Sequence, residues 1–289
     1  MRGGLRRAAA FLLLACVFAG CAGPTPRLVW EDRLRGDAVV LLGEMHDNPE
    51  HHRLRLEVLR RAFAAGWRPA IAMEQLDRDR QADIERARRE RPGDAEHVLA
   101  LAASSSKAPG RGWNWDYYRP FVELALEYDV PVAAANLSDA DTGKVARGGF
   151  GAVFTTEMMA TLGLDKAIPP DMQAAQEREI DAGHCNALPQ SMWAAMARAQ
   201  LARDAVMATA LREHAARGVV LLAGNGHVRR DIGVPRWLGP AEQLRVFSVG
   251  YLEGDAGEAP AGFFDAVVQT DAAQRPDHCA AFKTRSGRP

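Results

Sequence analysis

Two short motifs share a spacing that can do chemistry. Gly43-Glu44-Met45-His46 and Gly224-Asn225-Gly226-His227 both read Gly-x-x-His. Glycine lets the backbone turn sharply and approach a ligand closely. An imidazole three residues on can take a proton or bind a metal. Glu44 and Glu74 supply two carboxylates, and His51 and His52 follow the first motif closely enough to line the same crevice. Two His and two Glu can hold a divalent metal, or serve as a base with orienting partners. Each has a plainer reading alone. A lone strand-end His is more often a hydrogen-bonding structural residue, and Glu44 reads equally as a helix cap. No His-Glu-x-x-His motif is present, which excludes a standard zincin.

The elements that must position these groups alternate. Apolar runs without polar alternation read as strands buried on both faces. They fall at Ala38 to Leu42, Pro69 to Met73, Pro131 to Ala135 and Val219 to Ala223, with later strands at Val246 to Val249 and Ala266 to Val268. Asn48-Pro49-Glu50 is a helix start, with Asn as cap and Pro at the first helical position. Leu54, Val58, Leu59 and Phe63 give that helix an apolar stripe. A charged helix runs to about Arg91, and another covers Tyr117 to Tyr128 with Phe121, Leu124 and Ala125 inward. Residues 152–216 are mostly helical, ending in a long segment from Pro189 to Ala216. This order predicts an α/β domain, a largely parallel β-sheet flanked by helices, with residues 140–216 as a helical insertion between strands three and four. In such sheets ligands bind outside the carboxyl ends of the strands. Glu44 and His46 follow strand one, Glu74 strand two, Asn136 strand three, His227 strand four and Tyr251 strand five. That coincidence argues function. The Arg203-Asp204 pair in the long helix reads as a buried ion pair holding the crevice, with a ligand contact as the alternative.

The first residues read as an address. Arg2, Arg6 and Arg7 precede an apolar Ala8 to Phe18, then Ala19-Gly20 before Cys21, the pattern of a secretory signal. Small residues before Cys21 resemble a bacterial lipobox, with Leu13-Leu14-Ala15-Cys16 as a competitor. The expected organisation is a leader over 1–20, a lipidated Cys21 with a tether over 21–29, and one domain over 30–289. The whole chain has 36 Lys and Arg against 37 Asp and Glu, a net charge of −1. Without the leader's three Arg the charge is −4, which gives no field to hold nucleic acid. Beyond Cys21, only Cys185 and Cys279 remain, and in an oxidising compartment a Cys185–Cys279 disulfide is the simple reading. Two free thiols, or a metal site with His184 and His278, are the alternatives.

Leu41-Leu42-Gly43-Glu44-Met45-His46-Asp47-Asn48 with His51-His52 resembles the opening motif of the ChaN-like haem-binding lipoproteins. Gly183-His184-Cys185, Ala199 to Ala208 and Leu222 to Arg229 fit the same family in the same order. The family sits in a wider superfamily with Tiki-type metalloproteases and erythromycin esterases. The resemblance implies a haem-binding outer-membrane lipoprotein of iron acquisition. It would bind iron-porphyrin at a homodimer interface with a tyrosinate ligand and pass it to an outer-membrane haem receptor. It also implies, as the alternative, a metal-dependent hydrolase using Glu44, His46, Glu74 and His227, with His46 and His227 on a divalent metal. The tyrosine's own motif has no match here. Trp113-Asn114-Trp115-Asp116-Tyr117-Tyr118-Arg119 is the densest aromatic segment. Tyr118 or Tyr117 is the candidate iron ligand, Tyr251 its rival, Trp115 a wall and Arg119 a partner for a propionate.

Overall fold

The computed structural model describes residues 28–103, 112–254, 260–277 and 279–280. The leader, Cys21 and most of the tether lie outside the described residues. Six strands form one sheet: β1 (Val39–Leu42), β2 (Ala70–Asp77), β3 (Val132–Asn136), β4 (Val219–Leu222), β5 (Val246–Glu253) and β6 (Ala266–Thr270). Their order is β3-β2-β4-β1-β5-β6, and every neighbouring pair is parallel. The apolar runs have this outcome because both faces are covered. Val40 and Leu42 of β1 enter one core cluster, while Val39 and Leu41 enter the other.

One face carries α1 (Pro49–Ala64), α2 (Gln81–Glu90), α3 (Ala95–Ala102) and α4 (Trp115–Glu127). The Asn48 side chain caps α1, accepting from the Glu50 and His51 N–H groups at 2.8 and 3.3 Å. The buried stripe of α1 differs from the expected one: Arg55 is fully buried and Leu54 only half-buried. The other face is covered by α8 (Trp193–His214), the last helix of an insertion that also holds α5 (Asp139–Gly148), α6 (Thr156–Leu162) and α7 (Pro170–Gly183). Met207, Ala208 and Leu211 of α8 pack on the sheet, while Ala202, Ala205 and Val206 pack on the insertion. A helix clamped from two sides can be apolar nearly all round. A single turn, α9 (Asn225–Val228), follows β4. Among the described residues, no helix is long and apolar enough to cross a membrane.

Several boundaries move, and β5 runs on to Glu253, so Tyr251 lies within the strand rather than after it. β2 runs on to Asp77, so Glu74 is a residue within the strand rather than one that follows it. Asn136 is likewise the last residue of β3. α3 has no counterpart in the sequence reading.

Candidate functional site

β1 and β4 are hydrogen-bonded neighbours at the centre of the sheet, in register from Leu41 against Leu221 to Leu42 against Leu222. The two Gly-x-x-His motifs therefore leave adjacent strands at the same edge. Their closeness depends on glycine. A Cβ on Gly43 would lie 2.2 Å from Asn225 Oδ1 and 2.8 Å from Val228 Cγ2. One on Gly224 would lie 3.0 Å from the His46 ring.

Glu44 anchors the first half of the site. It is buried, and its Oε1 accepts from the Tyr118 hydroxyl at 2.6 Å and from His46 Nδ1 at 2.7 Å. Its Oε2 is held by Arg55, which also donates to Leu42 O at 3.2 Å. Burial pulls the Arg55 guanidinium down to about 10, so it stays charged at neutral pH. With Nδ1 turned to this carboxylate, Nε2 is the ring nitrogen that faces away from it. The His46 side chain is 44% exposed, with Trp113 edge-on at 4.8 Å.

Glu74, His227 and Asp204 make the second half. His227 Nδ1 lies 2.6 Å from Asp204 Oδ1, and its Nε2 lies 3.5 Å from Glu74 Oε1. The other oxygen of Glu74 accepts from the Gly224 N–H at 2.7 Å. Burial alone would push Glu74 up, but His227, His46 and the Gly224 N–H hold the carboxyl well below the usual range. Burial would lower His227, yet Glu74 and Asp204 raise it to about 10. Burial lifts Asp204 to about 6 against the pull of His227. The result is an imidazolium between two buried carboxylates.

The other expected residues separate into those near the surface and those inside. His51 is fully buried. Its Nδ1 accepts from the Met45 N–H at 2.9 Å and its Nε2 donates to Thr270 Oγ1 at 2.8 Å. It braces the loop and does not line the crevice. His52 donates from Nε2 to His46 O at 2.9 Å and accepts from Arg55 at 3.0 Å. Burial lowers both to about 4, so both are neutral, and the 3.4 Å approach of His52 to Glu44 is not an ion pair. Tyr118 and Tyr251 have no exposed surface, so neither phenol is open to a ligand in this arrangement. Burial raises both phenols, so neither forms a phenolate readily. Tyr117 and Trp115 are half-buried at the start of α4, and Tyr117 stacks on His52 at 4.5 Å. Arg119 is half-exposed, 3.5 Å from Asp116. Asn136 is buried and accepts from the Leu137 N–H and from Arg203. Arg203 and Asp204 do not pair: Arg203 turns to Asn136 and Asp139, and Asp204 to His227.

The site residues that went unrecognised are Arg55 and Gln75, together with the role of Asp204. Arg55 had a signal, since a charge on the Val58-Leu59-Ala62 face of a helix must have a buried partner. Gln75 had none.

Among the described residues, no group of three or more His, Cys, Asp or Glu side chains is arranged to hold a metal ion. The donor chemistry explains this. Arg55 already supplies positive charge to Glu44, Asp204 takes Nδ1 of His227, and Glu74 is shared between Gly224 and His227. As paired here, the donors do not fit a divalent cation. They fit a site with one open imidazole face beside an aromatic patch. A cleft of about 820 Å³ lies away from this site, among the segments that lead into β1, β2 and β4.

The fold is an all-parallel six-stranded sheet that carries the paired Gly-x-x-His motifs at one edge. The family described as "Haem-binding uptake, Tiki superfamily, ChaN" matches residues 30–238, and the chain belongs to that family. Haem binding and uptake are thereby assigned at the family level. Among curated proteins no relative matches. A solved structure described as cofacial heme binding to ChaN of Campylobacter jejuni superposes with a TM-score of 0.64 at 21% identity. It covers 82% of this chain and 88% of that one, a likeness of fold. An erythromycin esterase mutant in its open conformation gives a TM-score of 0.42 at 13% identity, covering 88% of this chain and 81% of that one.

Proposed function

We propose that this chain is a lipid-anchored haem-binding protein of iron acquisition, held at the outer membrane through Cys21. It takes iron-porphyrin on the surface around His46, at an interface between two copies, and hands it to an outer-membrane haem receptor. The observation that carries this reading is the exposed His46, oriented by a buried carboxylate and set against aromatic rings. A ferric porphyrin needs an open nitrogen or oxygen ligand and flat apolar walls. His46 and Tyr117 are ring donors near the surface, Trp113 and Trp115 would supply walls, and Arg119 would pair with a propionate. Iron held there would accept the imidazole lone pair, while Glu44 keeps the ring in orientation.

Hemin titration of the purified chain, with size-exclusion chromatography of the product, tests this reading. A stoichiometric Soret shift is expected, weakened in His46→Ala and accompanied by a larger species. No Soret shift at micromolar protein rejects it.

A further inference from the structure

The chain beyond β6 folds back over the loop that carries His46. Thr270 accepts from His51, and Asn48 Nδ2 donates to Asp271 O at 3.3 Å and to Glu253 at 2.6 Å. Arg275 grips Glu253 with two nitrogens at 2.6 and 2.5 Å, and its Nε lies 2.7 Å from Asp47. Asp47 and Asn48 directly follow His46. Further along the tail, Cys279 is bonded to Cys185, just past the end of α7. α7 in turn presents Glu179 to Arg229, two residues beyond His227. A continuous path thus joins the two Gly-x-x-His motifs through Arg275, the tail, the bridge and α7. Cys185 and Asn186 both take left-handed backbone, at φ 61° and 54°. Asn takes this region readily, whereas Cys adopts it at a cost.

We infer that this tail is a positioning strap, clasped by the Cys185–Cys279 bridge, that sets the His46 loop against the His227 segment. Arg275 is its positioning residue. The inference rests on the proposed haem site for its affinity readout alone. Both cysteines are half-buried. A dithiol gives up two electrons and two protons. The Cys185–Cys279 bond breaks, two thiols form, and the dithiol closes to its own disulfide. The strap then loses its covalent tie to the end of α7.

The test uses the purified full chain without ligand. Imidazole ring signals of His46 and His227 are recorded by NMR in the oxidised and dithiothreitol-reduced states. Reduction is expected to shift both rings, reoxidation to restore them, and Cys185→Ser with Cys279→Ser to match the reduced state. Arg275→Gln keeps the bridge and is expected to shift His46, with partial recovery in Arg275→Lys. Hemin affinity should fall with these shifts by about 10- to 100-fold, the scale of losing an outer partner that orients a ligand. Ring signals that stay in place in both the reduced chain and Arg275→Gln overturn the strap. Ring shifts in a chain that binds no hemin when oxidised leave the strap standing and reject the haem reading.

Discussion

Glu44 shows how one carboxylate can hold several functions together. Its charge balances Arg55, receives Tyr118 and orients His46. Removing one partner of a buried pair leaves the other uncompensated. Glu44→Gln should therefore lower stability by about 3–5 kcal/mol, read from the urea midpoint. Tyr118→Phe should cost less, about 1.5–3 kcal/mol for a bond to a charged group. The buried histidines make opposite predictions for pH. His51 and His52 are lowered to about 4, so the unfolded chain takes up their protons first. Their contribution is present above about pH 6.5 and is lost as pH falls toward 4. His227 is raised to about 10, so its contribution is full below about 6.5 and is lost as pH rises through about 10. Urea midpoints against pH should fall on both sides, and His227→Gln should flatten the alkaline arm. A profile that rises from pH 8 to 10 in the parent chain contradicts this. Which histidine is exposed and which buried was not legible, because His46, His51 and His52 are alike in type and differ only in what packs on them.

Elements were more legible than residues. The buried strands declared themselves by unbroken apolar runs, and α1 by its Asn-Pro start. What failed was the extent of β2 and β5 and the existence of α3. β2 continues past Met73 because Glu74 and Gln75 are polar yet buried, each with a partner in the site. Periodicity has no means of seeing such partners. The two glycine turns carry the element-scale predictions. Gly43→Ala would drive a methyl into Asn225 and Val228, and overpacking of this kind costs about 1–3 kcal/mol. Gly224→Ala meets the His46 ring instead. It should displace that ring, seen as an altered His46 NMR signal. Asn48→Ala should cost about 1 kcal/mol from the cap, and more because the same side chain holds Glu253 and Asp271.

The whole molecule is held by a parallel sheet and one long-range bridge. Cys185 and Cys279 are 94 residues apart. Closing a loop of that size removes unfolded-state entropy worth about 4–5 kcal/mol in the chain-entropy picture. Reduction should lower Tm with the far-UV spectrum retained at room temperature, as differential scanning calorimetry and circular dichroism would show. The sequence by itself determined the fold class and the family, because these depend on local periodicity and on residue types at short spacing. It named both cysteines of the bridge by elimination. Only the tertiary structure decided which side chains meet. Strand order puts β1 beside β4 although some 180 residues separate them. It turns Asp204 from Arg203 to His227, hides Tyr118 and Tyr251, and leaves His46 open to solvent. The physical reason is that burial and pairing belong to the packed arrangement. A residue's charge state and reach follow from neighbours that are distant in sequence.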